Sequence, residues 1–161
     1  MTAVPLSKIL KPALQKGYAI PGFVVQGWED AKTFAKCAQL TNCPIILQAG
    51  PNFRKNFPLN IIGSMFRKIA DESNVEIVTH IDHAKSIEEC KEGINEGFTS
   101  VMFDGSKLDI NKNIELTSKI VEITKPHNIS VEAEIGFVGY KNNNHSIKTN
   151  VNDAERISRE T

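Results

Sequence analysis

Short apolar runs alternate along this chain with longer segments in which apolar residues recur every three or four positions. Runs of the first kind are typical of β-strands, and the spacing of the second kind is typical of amphipathic α-helices. Two of the short runs, residues 45–47 and 101–103, contain only apolar side chains. Such strands are buried on both faces, so the pattern predicts an α/β fold in which helices cover a parallel sheet or barrel wall.

The predicted elements form repeated βα units after a leading helix at residues 6–16. Ser86 and either Asp109 or Asn111 are suited to cap helices, and Gly97 follows a helix where a left-handed residue is wanted. Strands are predicted at residues 18–25, 44–48, 75–81, 99–103 and 129–135. Helices are predicted at residues 28–40, 59–73, 86–96 and 111–124, with another beginning near 152–153.

Histidines and acidic residues recur where the predicted strands end, and they are His80, Asp82, His83, Asp104, Glu132 and Glu134. The C-terminal edge of parallel strands is where β/α proteins hold their active sites. Imidazole is the commonest metal ligand, and a neighbouring carboxylate can orient it or carry a proton. The pattern is therefore suited to metal-assisted acid–base chemistry. Taken singly, these residues also fit a hydrogen-bonded core histidine and a solvent-facing strand edge.

Composition places the chain among globular proteins, because 40% of its 161 residues are hydrophobic and 24% are charged. Nineteen basic and nineteen acidic side chains balance, so no overall field attracts nucleic acid or anionic lipid. The sequence has no transmembrane run and no basic leader, which predicts a cytoplasmic protein. Cys37, Cys43 and Cys90 follow no metal or redox spacing and are predicted to be reduced, partly buried thiols.

Several ordered blocks resemble the class II, zinc-dependent ketose-bisphosphate aldolases, a family that includes fructose- and tagatose-bisphosphate aldolases. The blocks are residues 16–23, 43–48, 80–83, 97–106 and 131–136, and His80-Ile81-Asp82-His83 is the strongest of them. The resemblance implies a TIM barrel. It also implies reversible aldol cleavage of a ketose bisphosphate to dihydroxyacetone phosphate and an aldehyde.

The same resemblance implies roles for individual residues. His83 matches the first zinc ligand, and Asp82 matches the acid/base that exchanges a proton at the aldehyde end of the cleaved bond. Asp104 and Glu134 match positions that approach the metal or a second divalent-cation site. His80 is expected to be a supporting or barrel-interior residue. The implied cofactor is Zn²⁺, and the implied partners are a phosphorylated ketose and further copies of the chain in a homo-oligomer.

The sequence also departs from the family pattern. A TIM barrel needs about 250 residues, so residues 1–161, with about five βα units, are expected to be one partial, N-terminal portion of such a domain. Two further zinc-ligating histidines and the phosphate-gripping loops are expected beyond it, since His127 and His145 follow no strand. Val24 and Ala84 stand where the family has asparagine and glycine. We therefore expect weak zinc binding and no cleavage by the chain alone.

Three further interpretations remain open at this stage. One is a non-catalytic remnant that binds a phosphosugar or metal, and another is a remnant that self-associates through unpaired strand edges. Five βα units would also suffice for an open, doubly wound domain, although no good phosphate-binding glycine turn follows a strand. The polar segment 136–150 is long enough for a lid and equally consistent with plain surface.

Overall fold

The computed structural model describes residues 2–136 and 149–161 and contains a parallel five-stranded sheet with the order β1-β2-β3-β4-β5. The strands are β1 (Gly22–Val24), β2 (Ile45–Ala49), β3 (Ile77–Ala84), β4 (Ser100–Phe103) and β5 (Ser130–Ala133). Sequential order confirms the predicted sector of a (β/α)₈ barrel. A doubly wound domain reverses its strand order at a switch point, and no reversal occurs among the described strands.

The helices follow the predicted alternation, with one addition. They are α1 (Leu6–Lys16), α2 (Trp28–Thr41), α3 (Pro51–Asn56), α4 (Leu59–Asp71), α5 (Ile87–Asn95), α6 (Ile110–Thr124) and α7 (Val151–Glu160). Ser86 and Asp109 cap α5 and α6 through their side chains, and Gly97 has a φ of +83° as the pattern predicts. Helix α3 was not predicted, because its six residues are too few to show a helical repeat.

All five strands differ from their predicted ranges by one or more residues, and three of the larger differences have identifiable reasons. Strand β1 begins only at Gly22, because Pro21 has no N–H to donate to a ladder. Strand β5 ends at Ala133, shortly before Gly136 turns the chain with a φ of +78°. Strand β3 continues to Ala84, so residues 80–83 lie inside the strand and not beyond it.

The two faces of the sheet are covered differently. The outer face packs on the helices in the main core, which includes Leu47, Ile77, Ile81, Val101, Phe103, Ile62, Phe66 and Ile120. The other face is covered near the start of β3, where Val78 packs with Val4, Leu6 and Ile9 of the N-terminal segment. Helix α1 is also tied to β5, because the Ser7 amide donates to Ser130 Oγ at 3.0 Å. The N-terminal segment thus covers this inner face at the strand end opposite the predicted chemistry.

The cysteine prediction was partly wrong. Cys37 and Cys43 are exposed, and only Cys90 is buried. Both exposed thiols lie on or just after α2, the first on its solvent side, whereas Cys90 lies on the core side of α5. Burial raises the pKa of the Cys90 thiol to about 12. Within residues 2–136 and 149–161, no helix combines the length and apolar character needed to cross a membrane.

Candidate metal centre

A bulge in β3 brings two adjacent side chains to the same place. In a regular strand, Asp82 and His83 would point to opposite faces of the sheet. Here His83 adopts a left-handed conformation with a φ of +54°, and the pairing with β4 shifts between Ile81 and Ala84. As a result, Asp82 and His83 line one cleft.

Three of the predicted side chains converge at this C-terminal edge. His83 Nδ1 lies 3.0 Å from Asp104 Oδ2 and 3.0 Å from Glu134 Oε2. One potential ligand atom from each residue lies within 4.8 Å of the others. His83 lies in β3. Asp104 is the first residue after β4, and Glu134 is the first residue after β5. The parallel order of the strands therefore produces the cluster that the sequence pattern predicts.

The cluster is electrostatically uneven. Partial burial disfavours the charged form of Asp104, but hydrogen bonds from Lys85, Ser106 and His83 outweigh it and hold the pKa of that carboxyl well below its usual range. Burial and the nearby Asp104 charge raise the pKa of Glu134. Burial alone would lower the pKa of His83, yet the Asp104 hydrogen bond and the surrounding acidic charges raise it. The site is thus an acidic pocket that favours a positive charge at its centre.

Glu134 has an unused acceptor in this pocket. Its Oε2 atom is buried and, among the described residues, has no hydrogen-bond partner with good geometry, although it lies close to His83. Buried carboxylate oxygens are normally hydrogen-bonded or coordinate a cation. The backbone carbonyl of Glu134 accepts a 2.8 Å hydrogen bond from the Nδ2 amide of buried Asn113. This contact fixes the chain from which the carboxylate extends.

Asp82 lies beside the cluster. Its Oδ1 atom is 4.0 Å from His83 Nε2, and its side chain is 13% exposed. Burial raises the pKa of Asp82, while the charges of His83 and Arg54 act in the opposite direction. A carboxyl group with a raised pKa that faces a cleft is suited to exchanging protons with a bound molecule.

His80 lies deeper and outside the cluster. It is buried, its Nδ1 is 2.9 Å from Ser100 Oγ, and its Nε2 is 3.6 Å from Glu132 Oε2. Burial lowers the pKa of His80 to about 4, so the neutral ring predominates at neutral pH. Glu132 faces the same side as Glu134, as the period of two predicts, but it approaches His80 and not His83. Both observations agree with the predicted interior position of His80.

Two residues near the site were not predicted from the sequence. Lys85 forms an ion pair with Asp104, and Arg54 donates to the backbone carbonyls of Ala49, Asp82 and His83. Lys85 lies two residues after His83 at the end of the motif, so its position was a usable signal. Arg54 lies on α3, and nothing in the local sequence indicates that it reaches β3.

The cluster opens into a cleft of about 590 Å³. Besides the predicted residues, its lining includes Val24, Gly50, Pro51, Asn52, Ser106 and Lys107. Val24, for which the family resemblance predicted a departure from asparagine, presents an apolar side chain to the cleft. Most of the polar segment 136–150, for which a lid was one interpretation, lies outside the described residues, and so does His145.

A parallel β/α-barrel sector with a His–Asp–Glu group at its C-terminal edge defines a class of proteins, the barrel enzymes whose chemistry lies at strand ends. Comparison with known families narrows this class. The model of the family described as fructose-bisphosphate aldolase class-II matches residues 4–161. The chain belongs to this family of aldolases.

Curated relatives of the chain carry two different aldolase names. One is a 6-phospho-5-dehydro-2-deoxy-D-gluconate aldolase from Shouchella clausii, 37% identical over 142 residues that make up 86% of this chain and 48% of the relative. Another is a fructose-bisphosphate aldolase from Staphylococcus epidermidis, 34% identical over 144 residues, with coverage of 86% and 50%. The chain thus spans about half the length of these relatives.

Solved structures agree with the barrel assignment. The YdjI aldolase from Escherichia coli K12 superposes with a TM-score of 0.89 and 28% identity, covering 99% of this chain and 59% of the other. A putative fructose-1,6-biphosphate aldolase from Coccidioides immitis has the same fold, with a TM-score of 0.85, 21% identity and coverage of 99% and 58%.

Proposed function

We propose that this chain supplies the first part of the active site of a zinc-dependent aldolase, with Asp82 as the acid/base and His83, Asp104 and Glu134 as metal ligands. The observation that carries the proposal is the convergence of these ligand atoms within 4.8 Å, with Asp82 Oδ1 4.0 Å from His83 Nε2. Family membership supports it independently. Zinc is the first cation to test, and a second divalent cation at the two carboxylates is part of the same proposal.

The residues fit a divalent cation chemically. They offer one imidazole nitrogen and two carboxylates, and Zn²⁺ accepts both kinds of ligand. Within the part of the chain that the structure describes, the buried Oε2 of Glu134 has no hydrogen-bond partner, and the lowered pKa of Asp104 keeps that group ionised. Bound by these residues, the metal would polarise a substrate carbonyl and stabilise the negative charge that develops when the carbon–carbon bond breaks.

The protein's own contribution centres on Asp82. Its pKa is raised by burial, so the carboxylate is a stronger base than that of an exposed aspartate. In the cleavage direction it accepts the proton of the substrate hydroxyl, and in the synthetic direction it returns that proton. The cleft walls orient the substrate and limit water around the reacting atoms.

We propose a phosphorylated ketose as the substrate, cleaved to dihydroxyacetone phosphate and an aldehyde. The names of the relatives support this class and suggest two members, fructose bisphosphate and 6-phospho-5-dehydro-2-deoxy-D-gluconate. Lys107 and Ser106 in the cleft lining offer a cation and a hydroxyl to a polar substrate. Val24 removes a polar contact at the family's asparagine position, so specificity has to come from other groups.

The same proposal covers the setting of the protein. We propose that residues 1–161 form part of a single TIM-barrel domain that functions in the cytoplasm as a homo-oligomer. Exposed apolar side chains at Leu14, Leu40 and Val151 support an association of copies or segments. In the described sheet, β1 and β5 each have only one neighbouring strand, which supports the same idea.

A non-catalytic metal-binding protein is the second candidate. One observation favours it: the described cluster contains a single imidazole among its three potential ligands, whereas catalytic zinc sites normally include at least two histidine or cysteine ligands. This candidate predicts metal binding that persists with no aldol chemistry, even when the rest of a barrel is supplied.

Two measurements test the proposal. Calorimetric titration of the 161-residue chain with Zn²⁺ should show weak binding that His83→Ala abolishes and Asp82→Asn leaves within about twofold. The chain should then be fused to the remaining half of the Staphylococcus epidermidis relative and assayed with both candidate substrates. We expect zinc-dependent cleavage of at least one substrate, with a loss of about 100-fold or more in kcat for Asp82→Asn.

The outcomes separate the candidates. Normal turnover by the Asp82→Asn fusion with metal bound would show that the acid/base role is wrong. Zinc binding without cleavage in a folded fusion would favour the non-catalytic candidate. Cleavage by the unfused chain would contradict our expectation that it is inactive alone.

A further inference from the structure

The bulge at Asp82 and His83 interrupts the regular pairing of β3. In the described register, β2 pairs with β3 only as far as Ile81, and β4 resumes its pairing at Ala84. Asp82 and His83 therefore have no partner residue in either neighbouring strand. A non-glycine residue with a φ of +54° persists only where surrounding contacts determine its conformation.

Arg54 supplies those contacts. Its Nη1 donates to the Asp82 carbonyl at 2.5 Å and also to the Ala49 carbonyl, and its Nη2 donates to the His83 carbonyl at 3.2 Å. The guanidinium therefore binds the end of β2 and both bulged residues of β3 at once. The Arg54 side chain is only 6% exposed, so water cannot readily replace these donors.

The charge of Arg54 is balanced on the other side. Arg54 Nε donates to Glu89 Oε1 at 2.9 Å, and the second oxygen of Glu89 accepts from the Lys85 amide at 2.8 Å. The Glu89 amide in turn donates to Ser86 Oγ in the cap of α5. The arginine–glutamate pair thus joins α3, the end of β3 and the start of α5 around the candidate metal centre.

We propose that Arg54 is a positioning residue that holds the left-handed His83 backbone, and through it the imidazole, toward Asp104 and Glu134. The inference about metal rests on the proposed function, whereas the inference about the backbone does not. The role needs the planar fork of arginine, because a lysine ammonium cannot reach the Asp82 and His83 carbonyls and Glu89 with the same geometry.

The first test needs no metal. Backbone ¹³C chemical shifts of His83 report its left-handed conformation, and we expect Arg54→Met to move them toward extended values. Arg54→Lys should behave like Arg54→Met, since it retains the charge and loses the fork. Phe53→Leu is the matched control. Phe53 is a buried neighbour on α3 that packs in the main core, so its substitution should lower stability and leave the His83 shifts unchanged.

A measurement on the unmodified chain covers the case in which neither Arg54 variant folds. The Arg54 guanidinium protons should exchange with solvent at least tenfold more slowly than those of exposed Arg159. Rapid exchange would overturn the proposal. Unchanged His83 shifts in a folded Arg54→Met chain would also overturn it, whatever the metal results.

Zinc or cobalt titration then tests the link to the metal centre. We expect Arg54→Met and Arg54→Lys to weaken binding by tenfold or more and to alter the visible spectrum of bound Co²⁺, while Phe53→Leu stays within twofold. Altered His83 shifts with unchanged metal affinity would overturn the positioning of the ligand. If the unmodified chain binds no metal, that result counts against the proposed function, and the backbone inference is decided by the His83 shifts and proton exchange.

Discussion

Buried His80 should make the stability of the folded chain depend on pH in a way that one substitution removes. Its pKa falls from 6.5 to about 4 on folding because the ring is buried beneath the candidate metal centre. Between these values the unfolded chain binds the proton and the folded chain does not. Stability contributed by the neutral ring is therefore fully present above pH 6.5 and is lost as the pH falls toward 4.

The magnitude follows from the two pKa values. A His80 pKa of 6.5 in the unfolded chain and about 4 in the folded chain gives a loss of about 2 kcal/mol in the free energy of unfolding between pH 8 and pH 5. Glu132, 3.6 Å from the ring, is 46% exposed, so water screens its attraction for a protonated His80. Burial also raises the pKa of Glu132, which stabilises the fold as the pH falls and opposes the His80 effect.

The assay is urea unfolding of wild type and His80→Asn at pH 8 and pH 5, both away from the isoelectric point of about 6.9. Asparagine can keep the hydrogen bond to Ser100 without titrating. We expect the free energies of unfolding at the two pH values to differ by about 2 kcal/mol less in the variant than in the wild type. Exposed His127→Asn is the matched control and should leave the difference unchanged.

Two results would refute this reasoning. The first is an equal pH dependence in wild type and His80→Asn. The second is a His80 ring signal that titrates above pH 6 in the folded protein. Glu132→Gln separates the effects of the two groups. Because it removes the opposing carboxylate, the free energy of unfolding of this variant should depend on pH more strongly than that of the wild type.

Three other predictions follow from individual contacts. Cys90 should resist a thiol reagent at pH 8 until the chain unfolds, while the two exposed cysteines react at once; equal reactivity of all three would contradict its burial. Lys85→Met should tighten Zn²⁺ binding about twofold to fivefold in calorimetry, because it removes the ammonium that competes for Asp104; weaker binding would mean that the lysine supports the site. Gly63→Ala should lower the free energy of unfolding by about 1–3 kcal/mol, since its Cβ would lie 2.4 Å from the Glu96 carbonyl oxygen; unchanged urea denaturation would refute this.

The sequence predicted the parts of the structure that depend on local patterns. Apolar runs and helical spacing predicted the βα order, because strands that are buried on both faces consist of consecutive apolar residues. Asp104 and Glu134 were also predictable, since parallel strands bring their ends to one edge. Their metal-binding roles, like the catalytic role of Asp82, remain predictions.

Other features depend on contacts between distant segments. The left-handed conformation of His83 has no strong local signal, because non-glycine residues seldom adopt it and no glycine marks the bulge. Arg54 contacts Asp82, which lies 28 positions further along the sequence, and the pattern of apolar residues does not predict such a polar contact. The period of two would even have placed Asp82 and His83 on opposite faces.

The N-terminal segment has a consequence for the order of folding. The Thr2 carbonyl accepts from the Ile77 amide at 2.9 Å, and the Ser7 amide meets Ser130 Oγ across 123 positions of sequence. The N-terminal segment therefore acquires its partners only through contacts between residues far apart in sequence, with β3 and, for Ser7, with β5. Closing such long loops slows docking, so Val4, Leu6 and Ile9 should stay accessible to chaperones until Val78 of β3 is in place.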